Sequence, residues 1–188
     1  MRMRSKMGLA GLALLASVTL GGCAKGKSPP SPSGPPETVT ITSPTLHEGQ
    51  PMPAANACTD EDHLGKSPPI AWTKGPPGTV AYAVSMVDPD ARNFVHWVVT
   101  GIPADVTSLP EGASPGGPLP DGARELKNDF DKSGYGGPCP PHGAAHHYIV
   151  QVWALRRSIP TGPPDAAFFQ ELVNAAAASG KLTVTFQR

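Results

Sequence analysis

The sequence predicts a mainly β domain, most simply a sandwich of two antiparallel sheets that carries one late helix. Short apolar runs with a two-residue alternation recur along the chain. The turns between them draw on 21 Gly and 24 Pro among 188 residues, and one helical periodicity occurs, close to the C-terminus. Alternation marks strands because successive side chains point to opposite faces. Gly and Pro punctuate the chain through the backbone angles they permit and the donor that Pro lacks.

Thr38-Val39-Thr40-Ile41-Thr42 alternates and is rich in β-branched residues, a first strand that Ser43-Pro44 ends. Glu48 to Pro69 contains Pro51, Pro53, Gly65, Pro68 and Pro69 and reads as loop. Ile70-Ala71-Trp72 is a short strand closed by Gly75-Pro76-Pro77-Gly78. Val80 to Val87 is apolar or small on both faces, so it is a strand buried on both sides, and it runs straight into Asp88-Pro89-Asp90. Phe94 to Ile102 is another strong strand, closed by Pro103. Ala104 to Gly143 has no periodic apolar pattern, and a stretch of that length inside a compact domain marks function or disorder.

That stretch ends in Gly134-Tyr135-Gly136-Gly137-Pro138-Cys139-Pro140-Pro141-His142-Gly143, a shaped loop too dense in Gly and Pro for helix or central strand. It feeds a strand from His146 to Leu155. There His146, Tyr148, Val150 and Val152 share one face, and His147, Ile149, Gln151 and Trp153 share the other. Pro164 opens the helical pattern, Asp165 to Ala178, with Phe168, Phe169, Leu172 and Val173 as its apolar stripe. Gly180 stops it, and Lys181 to Phe186 is a terminal strand.

The N-terminus carries an address. Arg2, Arg4 and Lys6 precede an apolar run from Gly8 to Leu20, too short for a spanning helix, and Leu20-Gly21-Gly22-Cys23 follows. This is the pattern of a lipoprotein signal over residues 1–22, with lipid on Cys23. Ala24 after the cysteine leans toward outer-membrane sorting in a Gram-negative cell. The expected location is therefore the cell envelope, on the outer membrane or a periplasm-facing membrane. Residues 23–36, with many Pro and Ser and no large apolar side chain, form an anchored tether, and the folded domain is residues 37–188.

Loss of the signal takes the balance from 15 cationic against 15 anionic residues to 12 against 15, and this weakly acidic, unclustered surface excludes nucleic acid as a partner. With Cys23 lipidated, Cys58 and Cys139 remain as an even pair in an oxidising compartment and are expected to be bonded.

Three polar clusters stand at strand ends: Asp88 with Asp90, His96 within an apolar strand, and His146 with Tyr148 beside the Gly/Pro loop. Several ionisable side chains next to glycine amides suit a small anion-binding pocket. Seven motifs, in order, resemble those of the phosphatidylethanolamine-binding proteins, above all their bacterial, Raf-kinase-inhibitor-like branch. They are Asp88-Pro89-Asp90-Ala91, Val95-His96-Trp97, Ile102-Pro103-Ala104-Asp105-Val106, Leu109-Pro110-Glu111-Gly112, Asn128-Asp129-Phe130, the loop from Gly134 to Pro141, and His146-His147-Tyr148.

The resemblance implies a Greek-key sandwich of two antiparallel sheets with a C-terminal helix beside the pocket. It implies a site for phosphate-like or phosphoethanolamine groups made of Asp88, His96, Gly136, Gly137, Pro138, Pro140, His146 and Tyr148, with no cofactor and no metal. Asp90, Arg92 and Phe94 are expected at its rim. Phe94 stands where the family commonly has Trp, and the segment from Ala91 to Val95 is shorter than usual. The function implied is a lipid-anchored, non-enzymatic binding protein that acts on a partner protein such as a kinase or protease. A competing reading makes Asp88, His96 and His146 the working groups of a hydrolase or a metal-dependent enzyme.

Overall fold

The computed structural model describes residues 38–59 and 65–188. The signal, Cys23 and the tether lie outside the described residues. Two antiparallel sheets face each other. The smaller joins β1 (Ile41–Thr42), β2 (Ile70–Trp72) and β5 (Ser108–Leu109) in the order β1-β2-β5. The larger contains β3 (Ala81–Asp88), β4 (Phe94–Pro103), β6 (Arg124–Glu125), β7 (His146–Leu155) and β8 (Ala176–Phe186) in the order β6-β4-β3-β7-β8. Mainly β architecture with one C-terminal helix, α1 (Ala166–Ala175), is as the alternation predicted.

Burial follows the two-residue period. Val84 and Met86 of β3, Val150 and Val152 of β7, and Leu182 and Val184 of β8 point inward against Ile41, Ile70, Trp72 and Leu109 of the small sheet. The opposite face presents Ala83, Trp153 and Leu155 to Phe168, Leu172 and Ala175 of α1. β3 is thus covered on both sides, which is why it is apolar from Ala81 to Val87 except at Ser85.

The C-terminal boundary differs from expectation. The alanine run invites helix through Ala178, yet α1 ends at Ala175 and β8 begins at once. Ala178 pairs with Ala154, Ser179 with Trp153 and Gly180 with Val152, so ladder hydrogen bonds and β7 packing outweigh a propensity difference of a few tenths of a kcal/mol per residue. Gly180 sits within this strand rather than ending the helix. A Cβ there would lie 1.8 Å from the Val39 carbonyl oxygen, so only glycine lets the N-terminal segment cross. At its other end α1 begins at Ala166, and Asp165, expected as the first helical residue, is its N-cap, with Oδ1 accepting the Phe168 amide at 2.9 Å.

Candidate functional site

The Gly134–Gly143 loop is tied down at several points. The Tyr135 amide donates to Ser114 Oγ at 2.7 Å, its phenol donates to the Asn56 carbonyl, and Asn128 Nδ2 donates to the Gly134 carbonyl at 2.8 Å. Cys139 is bonded to Cys58, and the Cys58 amide donates to the Pro138 carbonyl at 2.9 Å. Gly136 must be glycine for space: a Cβ would fall 2.5 Å from the Phe130 ring. The loop is therefore a fixed wall, as its composition predicted.

His96 reaches that wall through an irregularity in β4. Met86 pairs with Trp97, but the next β3 residue, Val87, pairs with Val95, so His96 is the extra residue of a β-bulge. Val95 faces α1 while Trp97 lies in the inter-sheet core. The unpaired His96 joins the inner side, its ring 5.2 Å from that of inward-facing Tyr148. Asp129 satisfies the local backbone: its Oδ2 accepts the Val95 amide at 2.7 Å and its own amide donates to the Val95 carbonyl.

His96 and Gly136 are joined twice, Gly136 N–H to the His96 carbonyl at 2.9 Å and His96 Nδ1 to the Gly136 carbonyl at 2.7 Å. A carbonyl can only accept, so Nδ1 carries the proton and Nε2 of the neutral ring is a lone pair. Burial, at 3% exposure, holds His96 below the ordinary histidine range, partly opposed by the Gly136 carbonyl and the Asp88 carboxylate. His146 has the same arrangement, its Nδ1 lying 2.7 Å from Oδ2 of Asp88. Oδ1 of Asp88 accepts the amides of Asp90 and Ala91 at 2.8 and 3.0 Å, which fixes the carboxylate at the end of β3.

Tyr148 completes the inner face. Its side chain is wholly buried, and its hydroxyl has no hydrogen-bond partner among the described residues. Burial and then the Asp88 carboxylate, which is near enough to attract the O–H but does not meet hydrogen-bond geometry with it, push its phenol upward, so it remains a protonated donor. The site thus offers one sealed O–H donor, two imidazole lone pairs and a carboxylate behind one of them. The Gly136 amide, expected to donate to an anion, is spent on His96. The Gly137 amide makes no hydrogen bond to a described residue and is the glycine donor that remains. Pro138 and Pro140 are buried and shape the wall without donors of their own.

Residues 42–187 match the family model described as phosphatidylethanolamine-binding protein. The chain belongs to the phosphatidylethanolamine-binding protein family. It is 32% identical over 205 aligned positions to a Mycobacterium tuberculosis protein named as a candidate lipoprotein, LppC, covering 98% of this chain and 96% of the relative. Escherichia coli YbhB is 37% identical over 62% of this chain and 78% of its own. The crystal structure of Escherichia coli YbcL, described as a member of the mammalian family, superposes with a TM-score of 0.74 at 33% identity, covering 81% of this chain and 99% of that one.

Within this family frame, the rim differs from expectation. Asp90 turns to the other side of β7: its Oδ2 accepts the His147 amide at 2.7 Å and lies 2.8 Å from His147 Nδ1, and these contacts hold its carboxyl below the usual range. Arg92 lines a cavity on the outer face of the large sheet. The cause is the short connection, in which Arg92 and Asn93 both take positive φ (58° and 61°) to close a tight hairpin. Phe94 does stand beside the site, 5.1 Å from the His96 ring. Phe130, which is not among the site residues the sequence predicts, packs edge-on against both, 4.8 Å from Phe94 and 5.4 Å from His96. Its place in the Asn128-Asp129-Phe130 motif was the available signal.

Two spacings familiar from enzymes also occur. Gly112-Ala113-Ser114-Pro115-Gly116 has the Gly-x-Ser-x-Gly form, but Ser114 is wholly buried in a loop and its Oγ accepts the Tyr135 amide, so it is not an exposed nucleophile on a strand-to-helix turn. His142 and His146 stand four apart, but on a loop and a strand rather than one helix face. Among the described residues, no group of three or more His, Cys, Asp and Glu is arranged to hold a metal ion.

Proposed function

We propose that this protein is an exported binding protein, anchored by lipid on Cys23, that holds a small phosphate-like group, phosphate or phosphoethanolamine, at His96, His146, Tyr148, Asp88 and Gly137. The observation that carries the proposal is the sealed, unpartnered Tyr148 hydroxyl. An orphaned buried donor costs about 1–3 kcal/mol, and an anion oxygen is the partner that turns this cost into a charge-assisted bond. Both Nε2 atoms accept, so they select a ligand that brings protons, either the P–OH of a phosphate monoanion or the ammonium of phosphoethanolamine. A proton passed to His146 Nε2 leaves its charge against the Asp88 carboxylate 2.7 Å away.

Cell-envelope location rests on the Leu20-Gly21-Gly22-Cys23 pattern together with similarity to LppC. A partner protein that it regulates would then itself be exposed in that compartment. Calorimetric titration of the full chain with phosphate tests the site. Affinity should fall as pH rises through the second ionisation of phosphate, which removes the proton that Nε2 accepts. An affinity that rises with pH, or His96→Ala and His146→Ala variants that bind as the parent does, would assign the anion elsewhere. Cys23→Ser should release the protein from the membrane fraction.

A further inference from the structure

The outer face of the large sheet, opposite His96 and Tyr148, carries a cavity of about 630 Å³. A length mismatch creates it. α1 has 10 residues, about 15 Å of helix, whereas the 10 residues of β7 extend about 33 Å. The helix covers the Leu155 end of the sheet and leaves the other end open. Val87, Val95, Ile149, Trp153, Phe169 and Val173 supply apolar walls, and Val173 is 54% exposed although it is a large hydrophobic side chain.

The floor of this cavity is not purely apolar. Ser85 is 2% exposed and accepts Trp153 Nε1 at 3.2 Å, which leaves its hydroxyl proton without an acceptor among the described residues. Gln151, 9% exposed, donates Nε2 to Ser179 at 3.3 Å, and its Oε1 meets no described donor. An apolar pocket of this size with a few convergent polar groups is the usual form of a small-molecule site.

Charge at the rim selects among ligands. Both carboxylates there are committed to backbone amides, Asp129 to Val95 at 2.7 Å and Asp165 to Phe168 at 2.9 Å. Arg92 and Lys181, both exposed, make no salt bridge to a described residue. The charged groups left without a partner of their own are therefore the two cations, beside two hydrogen-bonded carboxylates that keep their formal charge. We propose that this cavity is a second binding site, for an amphiphilic anion whose apolar chain lies against Ile149 and Trp153 while its anionic head group meets Arg92 and Lys181.

The test titrates the full chain with dodecanoate below its micellar range and reads tryptophan emission, since Trp153 lines the cavity while Trp72 and Trp97 lie in the inter-sheet core. Expected are saturable one-to-one binding and an emission change that Trp153→Phe abolishes. Dodecyltrimethylammonium, with the same chain and the opposite charge, should bind about 2- to 30-fold more weakly, as should dodecanoate to Arg92→Ala/Lys181→Ala, two exposed rim charges contributing together. Both substituted side chains are exposed, so the variant should melt as the parent does. Equal affinity for the two head groups, or unchanged binding by the double variant, overturns the proposal. A dimer in sedimentation that Val173→Glu dissolves would assign this face to a second copy and overturn it equally.

Discussion

Replacing Tyr148 by Phe separates two effects of opposite sign. The hydroxyl is sealed from water and unpartnered among the described residues, so in ligand-free protein its removal relieves a desolvation cost of about 1–3 kcal/mol while keeping the ring between His96 and the core. In a domain of this size each 1 kcal/mol moves the melting temperature by about 2–4 °C, so ligand-free Tyr148→Phe should melt several degrees above the parent. With phosphate bound, the same hydroxyl is a donor to an anion, and its loss should weaken binding by about 1.5–3 kcal/mol, or roughly 10- to 150-fold. Scanning calorimetry with and without phosphate, beside a calorimetric titration, reads both numbers. The variant should be more stable than the parent without ligand and gain less from phosphate. A variant that melts below the parent without ligand would mean that the hydroxyl is already satisfied, through the nearby Asp88. Unchanged phosphate affinity would remove Tyr148 from the site.

Three further outcomes follow from the geometry. His96 is buried with its folded pKa lowered, so above about pH 7 both states are neutral. As pH falls through about 6.5 the unfolded chain takes up a proton the fold refuses, and stability should drop by up to about 1.4 kcal/mol per pH unit until the lower folded pKa is reached. Urea melts of parent and His96→Gln across pH 5–8 isolate that slope, which the variant should lack. Gly136→Ala places a methyl against the Phe130 ring and should cost about 1–3 kcal/mol in denaturant melts while weakening phosphate binding, whereas a neutral result would mean that Phe130 moves aside freely. Cys58→Ser/Cys139→Ser opens a cross-link spanning 81 residues and should cost about 2–5 kcal/mol, read as a lower denaturation midpoint in the variant than in the oxidised parent.

Where local pattern and tertiary structure agreed, the elements were legible. β2 and β7 have the bounds that alternation predicts, and β7 alternation puts His146 and Tyr148 on the inner face with His147 outside. β5 and β6 were not legible: each is two residues long, too short for any period, and each exists through its pairing partner. The end of α1 was misread because alanine propensity is local while the β8 pairing is not. Asp90 and Arg92 were misplaced for a similar reason, since the hand of the hairpin turn decides which face they reach, and two positive φ values are not written in Ala91-Arg92-Asn93.

The bulge at His96 is the feature that the sequence conceals and the site depends on. Strict alternation counted back from inward-facing Trp97 would send His96 to the α1 side, into the company of Val98 and Trp153, with no carbonyl to fix its Nδ1. One inserted residue reverses this, because strand faces have period two and a shift of one exchanges them. The extra residue shifts the strand start as well, so Phe94, paired with Asp88, turns inward together with His96. Val95 then has its amide and carbonyl held by Asp129, and Phe130, the next residue, closes over Gly136. A single irregularity in β4 thus accounts for the Asn128-Asp129-Phe130 motif, for the need for glycine at 136 and for the tautomer of His96. Deleting it should leave both sheets paired and turn His96 away from Tyr148 and Gly136.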